Sequence, residues 1–201
     1  MNRKEIVFRK LGCDAINGER SFTQLALSRE LGISLSAVNG AVKELKEVNA
    51  VAARRRGFDV VALDRLLLYW ATHRGLKRDI AYQTRAEMPI RDIERSMPDG
   101  VAFTGYTGYR FTFDEAPADY SEVYLYATES ALEQIKKRFG PSERQPNLIV
   151  MRCDDYLGGE ISKGKLDKSS VCPAQLFADL WNMGQWYAKD FVDALSKRLG
   201  I

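Results

Sequence analysis

Hydrophobic positions recur at helical spacing through the first third of this chain, and beyond residue 80 helical and strand-like patterns alternate. From Arg3 to Leu11, the residues Ile6, Val7 and Leu11 share one side while Arg3, Lys4, Arg9 and Lys10 lie elsewhere, which predicts a first helix. Ser21 followed by Gln24 forms a capping box, so a second helix is expected from Phe22, ended by Gly32 in a left-handed conformation. Ser34 then caps a third helix, about Ser34 to Val48, whose Val38, Val42, Leu45 and Val48 gather on one buried stripe. Two short apolar runs between Ala50 and Val61 flank Arg54, Arg55, Arg56 and Gly57, the pattern of a β-hairpin with a basic tip. Asp64 can cap a fourth helix carrying Leu66, Leu67, Leu68, Tyr69 and Trp70, stopped near Gly75. Five large apolar residues in a row exceed what one face buries on a small domain. This helix is therefore expected to meet a second domain or another subunit.

After Ile80 the pattern predicts a small mixed sheet with helices on its faces. Pro89 opens a helix from Ile90 to Met97, broken by Pro98-Asp99-Gly100. Glu122 to Ala127 reads as a strand, Glu129 to Arg138 as a helix ending at Gly140, and Asn147 to Met151 as a buried strand. Cys153 to Gly159 reads as a turn. Pro173 opens a helix with Leu176, Phe177, Leu180 and Trp181, and a last helix from about Gln185 carries Tyr187, Phe191, Leu195 and Leu199. The fold class expected is α+β, with an α/β-like C-terminal part, divided into residues 1–77 and 78–201.

On the third helix the positions left outward are Ser36, Asn39, Gly40 and Lys43. They are small or polar and free of acid until Glu44 and Glu47, which suits a helix lying in a DNA major groove. Helix, turn, helix and basic hairpin in this order, with the turn L-A-L-S-R-E-L-G-I-S and the helix A-V-N-G-A-V-K-E-L, resemble the winged helix-turn-helix domain of prokaryotic transcription regulators. That resemblance covers about the first third of the chain. It implies double-stranded DNA as partner, with Ser34, Ser36, Ala37, Asn39, Gly40 and Lys43 on the recognition helix and Arg54, Arg55 and Arg56 on the wing as DNA-contacting residues. The plain alternative is a small helical domain whose arginines lie in a solvated loop.

Charge distribution favours the nucleic-acid reading. Residues 1–78 hold 15 Lys and Arg against 8 Asp and Glu, a net +7, whereas residues 79–201 hold 15 against 19, a net −4. A basic module joined to an acidic one fits a unit that touches phosphate and a unit that does not. Cys13, Cys153 and Cys172 are far apart and odd in number, so neither a disulfide framework nor a metal knuckle is expected, and a reducing compartment is. No leader pattern opens the chain and no apolar run approaches the ~20 residues that span a bilayer. A cytoplasmic protein without a membrane partner is the expectation.

The stretch Val101 to Phe113, with Gly105, Gly108 and interleaved aromatics, admits a phosphate-cradling loop, a base-stacking strand or a tightly packed helix. A phosphate loop follows a strand and carries a lysine or G-x-G-x-x-G, and the pattern predicts neither here, so core packing is expected. Thr104-Gly105-Tyr106-Thr107-Gly108-Tyr109, with Phe177-Ala-Asp-Leu180 through Gly184 and Tyr187 to Leu195, is similar to the C-terminal region of AbiEi-type antitoxin regulators. These join a winged helix to an α/β domain and repress their own operon.

An enzyme is the rival class. Asp119, Glu122, Asp154 and Asp155 would have to assemble as a two-metal carboxylate site of a nuclease or nucleotidyl transferase. Their surroundings lack the accompanying motifs, and the single histidine, His73, leaves little general-base repertoire. A third class is a protein-interaction module. The expectation is a sequence-specific DNA-binding regulator, not an enzyme, with no cofactor or metal, acting as a homodimer. Leu67, Leu68, Tyr69, Trp70 and the final helix are candidates for its contact, unless they form the seam between two domains of one chain. The second domain would serve dimerisation, an effector or a protein partner.

Overall fold

A computed structural model describes residues 2–166 and 169–201. Among these residues the chain forms ten α-helices and two small sheets, an α+β fold. The first part runs α1 (Arg3–Ile16), β1 (Ser21–Phe22), α2 (Gln24–Leu31), α3 (Leu35–Glu47), β2 (Val51–Arg54), β3 (Gly57–Val60) and α4 (Leu63–His73). A 3-10 turn, Leu76–Asp79, leads on to β4 (Ile80–Thr84), α5 (Ile90–Arg95), β5 (Val101–Thr104), α6 (Gly105–Phe113) and β6 (Val123–Ala127). The chain ends through α7 (Glu129–Arg138), β7 (Leu148–Arg152), α8 (Asp155–Ser162), α9 (Pro173–Trp181) and α10 (Ala188–Leu199).

The expected capping box is replaced by a strand. Ser21 and Phe22 pair with Asp59 and Phe58 of the hairpin, and the Ser21 hydroxyl donates to Asp59 Oδ1 at 2.7 Å instead of capping a helix. Thr23 takes the cap, its Oγ1 accepting from the amide of Ala26, so α2 starts at Gln24. Gly32 ends it with φ 64°, and Ser34 caps α3 as the spacing predicts, accepting from the Ala37 amide at 3.3 Å. At the other expected cap, Asp64 is not the N-cap. The helix starts at Leu63 after Ala62, without a side-chain cap, and Asp64 sits in the first turn, where its charge complements the helix dipole. The expected turn Cys153 to Gly159 instead leads into α8, which starts at Asp155 because Asp154 Oδ1 caps it, accepting from the Leu157 amide at 3.1 Å. Pro89 is the N-cap of α5 and not its first residue.

The larger sheet has strand order β4-β7-β6-β5, with β6 and β7 parallel and both edge strands antiparallel to their neighbours. Side chains alternate across it. Val123, Leu125, Leu148 and Val150 face a small core closed by Ile93 of α5 and by Leu132 and Ile135 of α7. Tyr126 and Met151 face the large core, which runs from α1 to α10. At the centre of that core lies α9, buried from Ala174 to Leu180 and packed on α1, α4, α6 and α10. A helix buried all round has to be apolar or paired on every face.

The run Leu66 to Trp70 resolves as the seam within one chain. Leu66, Leu67 and Trp70 are fully buried and α4 lies against α9, whereas Leu68 stays exposed. Leu67 and Trp70 therefore offer no surface to a second copy. The cysteine expectation is also corrected: Cys13 of α1 and Cys172, the residue before α9, form a disulfide with Cα atoms 6.0 Å apart. Sequence spacing could not foresee it, because the fold brings together residues separated by 159 positions. Cys153 is free and half-buried.

Several polar groups inside the large core are tied to one cation. Arg74, at the end of α4, donates from Nε to Asp179 Oδ1 at 3.0 Å, from Nη1 to Glu5 Oε2 at 3.0 Å and from Nη2 to the Tyr126 hydroxyl at 2.8 Å. Asp79 lies 2.7 Å from the same guanidinium. The Tyr126 hydroxyl and Thr104 Oγ1 both donate to Asp179 Oδ2, at 2.9 and 2.8 Å. Burial works against charge on Arg74, but Asp179, Tyr126, Glu5 and Asp79 outweigh it and raise its pKa. A second buried pair joins α1 to α8: Arg9 grips both oxygens of Asp154, at 2.7 and 2.8 Å.

Replacing Arg74 by Met should lower unfolding free energy by ~3–5 kcal/mol, the scale for leaving buried carboxylates without their cation. Denaturant titration reads it, and a loss below about 1 kcal/mol, the scale of an exposed pair, would deny the cluster a structural role. The Asp154 carboxyl titrates below its ordinary value: burial pushes it up, and Arg9 with the Leu157 amide overrides that. A depressed folded pKa means that its stabilisation is complete above about pH 5 and is lost as pH falls through the ordinary carboxylate pKa of ~3.9 toward the lower folded value. Between pH 5 and pH 3 the denaturant midpoint of the wild type should therefore fall more steeply than that of Asp154→Asn. Parallel curves would show that the pair adds nothing to the acid dependence.

Candidate nucleic-acid interface

The third helix is asymmetric. Val38, Ala41, Val42 and Leu45 are buried against α1 and α2, with Val48 half-buried at the end, so the opposite side faces solvent. Ser34, Ser36, Asn39 and Lys43 are exposed, and Ala37 and Gly40 are half-buried beside them. Ser36, Asn39 and Lys43, three and then four residues apart, line one edge of the helix. Gly40 leaves room for α1: a Cβ there would meet the Lys4 side chain at 3.8 Å.

The acidic group nearest this face, Glu44, has partners on α1 and α4. Glu44 forms an ion pair with Lys4 of α1 and accepts from the Tyr69 hydroxyl at 3.3 Å. Burial and the Glu44 carboxylate raise the Tyr69 pKa, so the phenol stays protonated as a donor. Tyr69 also packs edge-on against Phe8 of α1, at 5.8 Å between ring centroids, which holds α4 against α1. His73 stacks on Tyr69 at 4.2 Å with Nδ1 2.8 Å from the Tyr69 carbonyl, a surface placement with local partners.

The hairpin brings its arginines to the tip but does not leave them equivalent. Arg54, the last residue of β2, sits 3.3 Å from Asp59 across the ladder. Arg55 and Arg56 occupy the turn, exposed and without an ion pair among the described residues. Gly57 follows at φ 113°, and a Cβ there would collide with the Phe22 carbonyl, so only glycine lets β1 pass beside the tip.

One residue not expected at this surface joins it. Gln24, the first residue of α2, points its Nε2 at Asn39 Oδ1, 3.5 Å away, and bridges the two helices. Leu25 and Leu35 are exposed on α2 and α3. Gln24 was legible only as a capping residue. Its actual position follows from the helix starting two residues later than the capping box suggests.

The carboxylates of the rival metal site do not converge. Glu122 is buried and accepts from the Tyr187 hydroxyl, Asp154 is held by Arg9, and Asp119 and Asp155 are exposed. Among the described residues no group of three or more His, Cys, Asp or Glu side chains is placed to hold a metal ion. The glycine-rich stretch does follow a strand, β5, contrary to the sequence reading, yet it is core. Tyr106 and Tyr109 are fully buried, Met183 fills the space beside Gly105, and a Cβ on Gly108 would lie 2.9 Å from the Phe103 carbonyl. No helix is long and apolar enough to cross a membrane among the described residues. No protein-family model, no curated protein and no solved structure matches this chain.

Proposed function

We propose that this chain is a sequence-specific DNA-binding transcriptional regulator of repressor type, not an enzyme, whose residues 1–77 form a winged helix-turn-helix. The single observation that carries the reading is the exposed edge Ser36, Asn39 and Lys43 on a helix whose other side is buried, combined with two unpaired arginines at the adjoining hairpin tip. On this reading α3 enters the major groove and Asn39 reads adenine through its amide, which offers one donor and one acceptor. Arg55 and Arg56 hold phosphate or the minor groove, and Arg54 contributes less because Asp59 already engages it. Residues 78–201 serve dimerisation, an effector or a protein partner, in keeping with the similarity to AbiEi-type antitoxins.

A homodimer belongs to the proposal because one recognition helix reads only a few base pairs, and two half-sites about one helical turn apart supply the remaining specificity. With Leu67 and Trp70 used inside the chain, the apolar surface left for a partner copy includes Leu68, Trp181 and Trp186, the last 82% exposed.

Duplexes captured by the protein from random DNA give the probe for a paired titration. Asn39→Ala should weaken binding to the captured duplex by ~1–3 kcal/mol and leave binding to a scrambled duplex nearly unchanged. Arg55→Ala with Arg56→Ala should weaken both and flatten the slope of log affinity against log salt by about 0.9 for each phosphate that the hairpin no longer neutralises. Equal losses on both duplexes for Asn39→Ala would remove it as a base reader, and an unchanged salt slope would remove the hairpin from the interface. Sedimentation at micromolar concentration tests the assembly: twice the chain mass of 22.8 kDa is expected. A single-chain species that binds one half-site as tightly as two would end the dimer.

A further inference from the structure

Cys13 lies in the C-terminal half of α1 and Cys172 is the N-cap residue of α9. Their disulfide joins the helix that carries α3 to the helix at the centre of the core. Both cysteines are half-buried and line one cleft of 430 Å³, together with Arg9, Lys10 and Lys165. A small thiol reaches such sulfurs without unfolding the chain, and the exposed Lys165 beside them favours the thiolate that attacks and the thiolate that leaves, Arg9 and Lys10 being held by carboxylates. The Cys172 sulfur also stands at the start of a nine-residue helix with no side-chain cap, where the dipole and the free amides stabilise an anion. Contact between the helices does not depend on the bond alone. Gly12 lets α1 approach so closely that a Cβ there would lie 2.9 Å from the Ala174 Cβ, and Arg9 still holds Asp154.

We propose that the Cys13–Cys172 bond is a redox-responsive staple between α1 and α9, opened by low-molecular-weight thiols and closed by their disulfides. A thiolate attacks the Cys13 sulfur, the sulfur–sulfur bond breaks, and Cys172 leaves as the thiolate at the α9 N-terminus. A second thiol attacks the resulting mixed disulfide and releases Cys13. Two electrons and two protons pass to the protein, and two thiols become one small disulfide. The open form stays folded through the Gly12–Ala174 contact, the Arg9–Asp154 pair and the Arg74 cluster that holds Glu5 near the start of α1, but the C-terminal end of α1, which carries Cys13, can shift against α9. Because α1 is the floor under α3, the shift reaches the edge that carries Asn39. This last step rests on the DNA-binding function proposed above.

The test uses the full folded chain. Incubation with dithiothreitol or reduced glutathione without denaturant, followed by alkylation and mass spectrometry, should label Cys13 and Cys172, and Tm should fall by roughly 5–15 °C. A Cys13→Ser, Cys172→Ser double variant should show no thiol-dependent change in Tm. Labelling of the pair only after denaturation would make the bond a structural crosslink and overturn the proposal. So would failure of the pair to close in glutathione disulfide. Titration of the captured duplex with oxidised and reduced wild type should differ by about fivefold or more, a difference absent from the double variant. Equal affinities overturn the coupling to α3. Loss of sequence preference in both states would instead strike the DNA-binding reading and leave the thiol chemistry to be judged by labelling and Tm.

Discussion

One guanidinium organises the interior. Arg74 reaches Glu5 of α1, Asp179 of α9, Tyr126 of β6 and Asp79 of the turn that follows α4, and Thr104 of β5 joins through Asp179. Five segments from both ends of the chain therefore meet at one buried charge. Three carboxylates share it, and the excess negative charge is tolerable because Glu5 lies in the first turn of α1, where the helix dipole favours an anion. Buried ion pairs contribute little net stability compared with apolar packing of the same shape, but breaking one partner away is strongly unfavourable. The cluster thus acts less as glue than as a lock on geometry. Arrangements of α1, α4 and α9 that separate these groups leave a charge buried without its counter-ion.

From that lock the position of α3 follows in two steps. Glu5 and Arg9, one turn apart on the same side of α1, anchor it at two points, the first to Arg74 and the second to Asp154 at the start of α8. The faces of α1 and α4 then receive α3 through packing and through the Lys4–Glu44–Tyr69 contacts. A similar device operates beyond the sheet, where Glu94 of α5 accepts from Thr107 at 2.8 Å, Tyr120 at 2.7 Å and Arg110 at 2.6 Å. Each buried carboxylate is satisfied by residues from other elements, so tertiary position and polar satisfaction are the same constraint.

Local patterns were legible where local physics decides. The caps at Gly32 and Ser34, the stripe Val38–Val42–Leu45, the hairpin around Gly57 and the helix Glu129–Arg138 all depend on neighbours within a few residues. What escaped the sequence depends on distant partners. Ser21 looks like a cap until Asp59 claims its hydroxyl, and Cys13 looks isolated until α9 delivers Cys172. Arg74 and Asp179 carry no local pattern that marks them as partners 105 positions apart. For the candidate site, the exposed edge of α3 was legible from periodicity, whereas Gln24 beside Asn39 and the pairing of Arg54 were not, because both are contacts between elements.

Charge completes the case for treating α3 and the hairpin as one surface. The basic excess of residues 1–78 is not spread evenly in effect, since several cations are used up inside the fold: Arg9 by Asp154, Arg74 by its carboxylates, Lys10 by Asp14 and Glu30. Of the acidic groups near the exposed edge, Glu44 pairs with Lys4 and Asp59 with Arg54 and Ser21, while Glu47 stays exposed in the last turn of α3. Lys43 on the helix and Arg55 and Arg56 at the hairpin tip are left facing solvent, beside neutral donors and acceptors at Ser36 and Asn39. Pairing Glu44 and Asp59 with neighbouring groups while Lys43, Arg55 and Arg56 stay outward leaves this face with a local cationic excess. For the proposed contact with DNA, that division supplies charge for encounter with a polyanion and amides for choice among base edges.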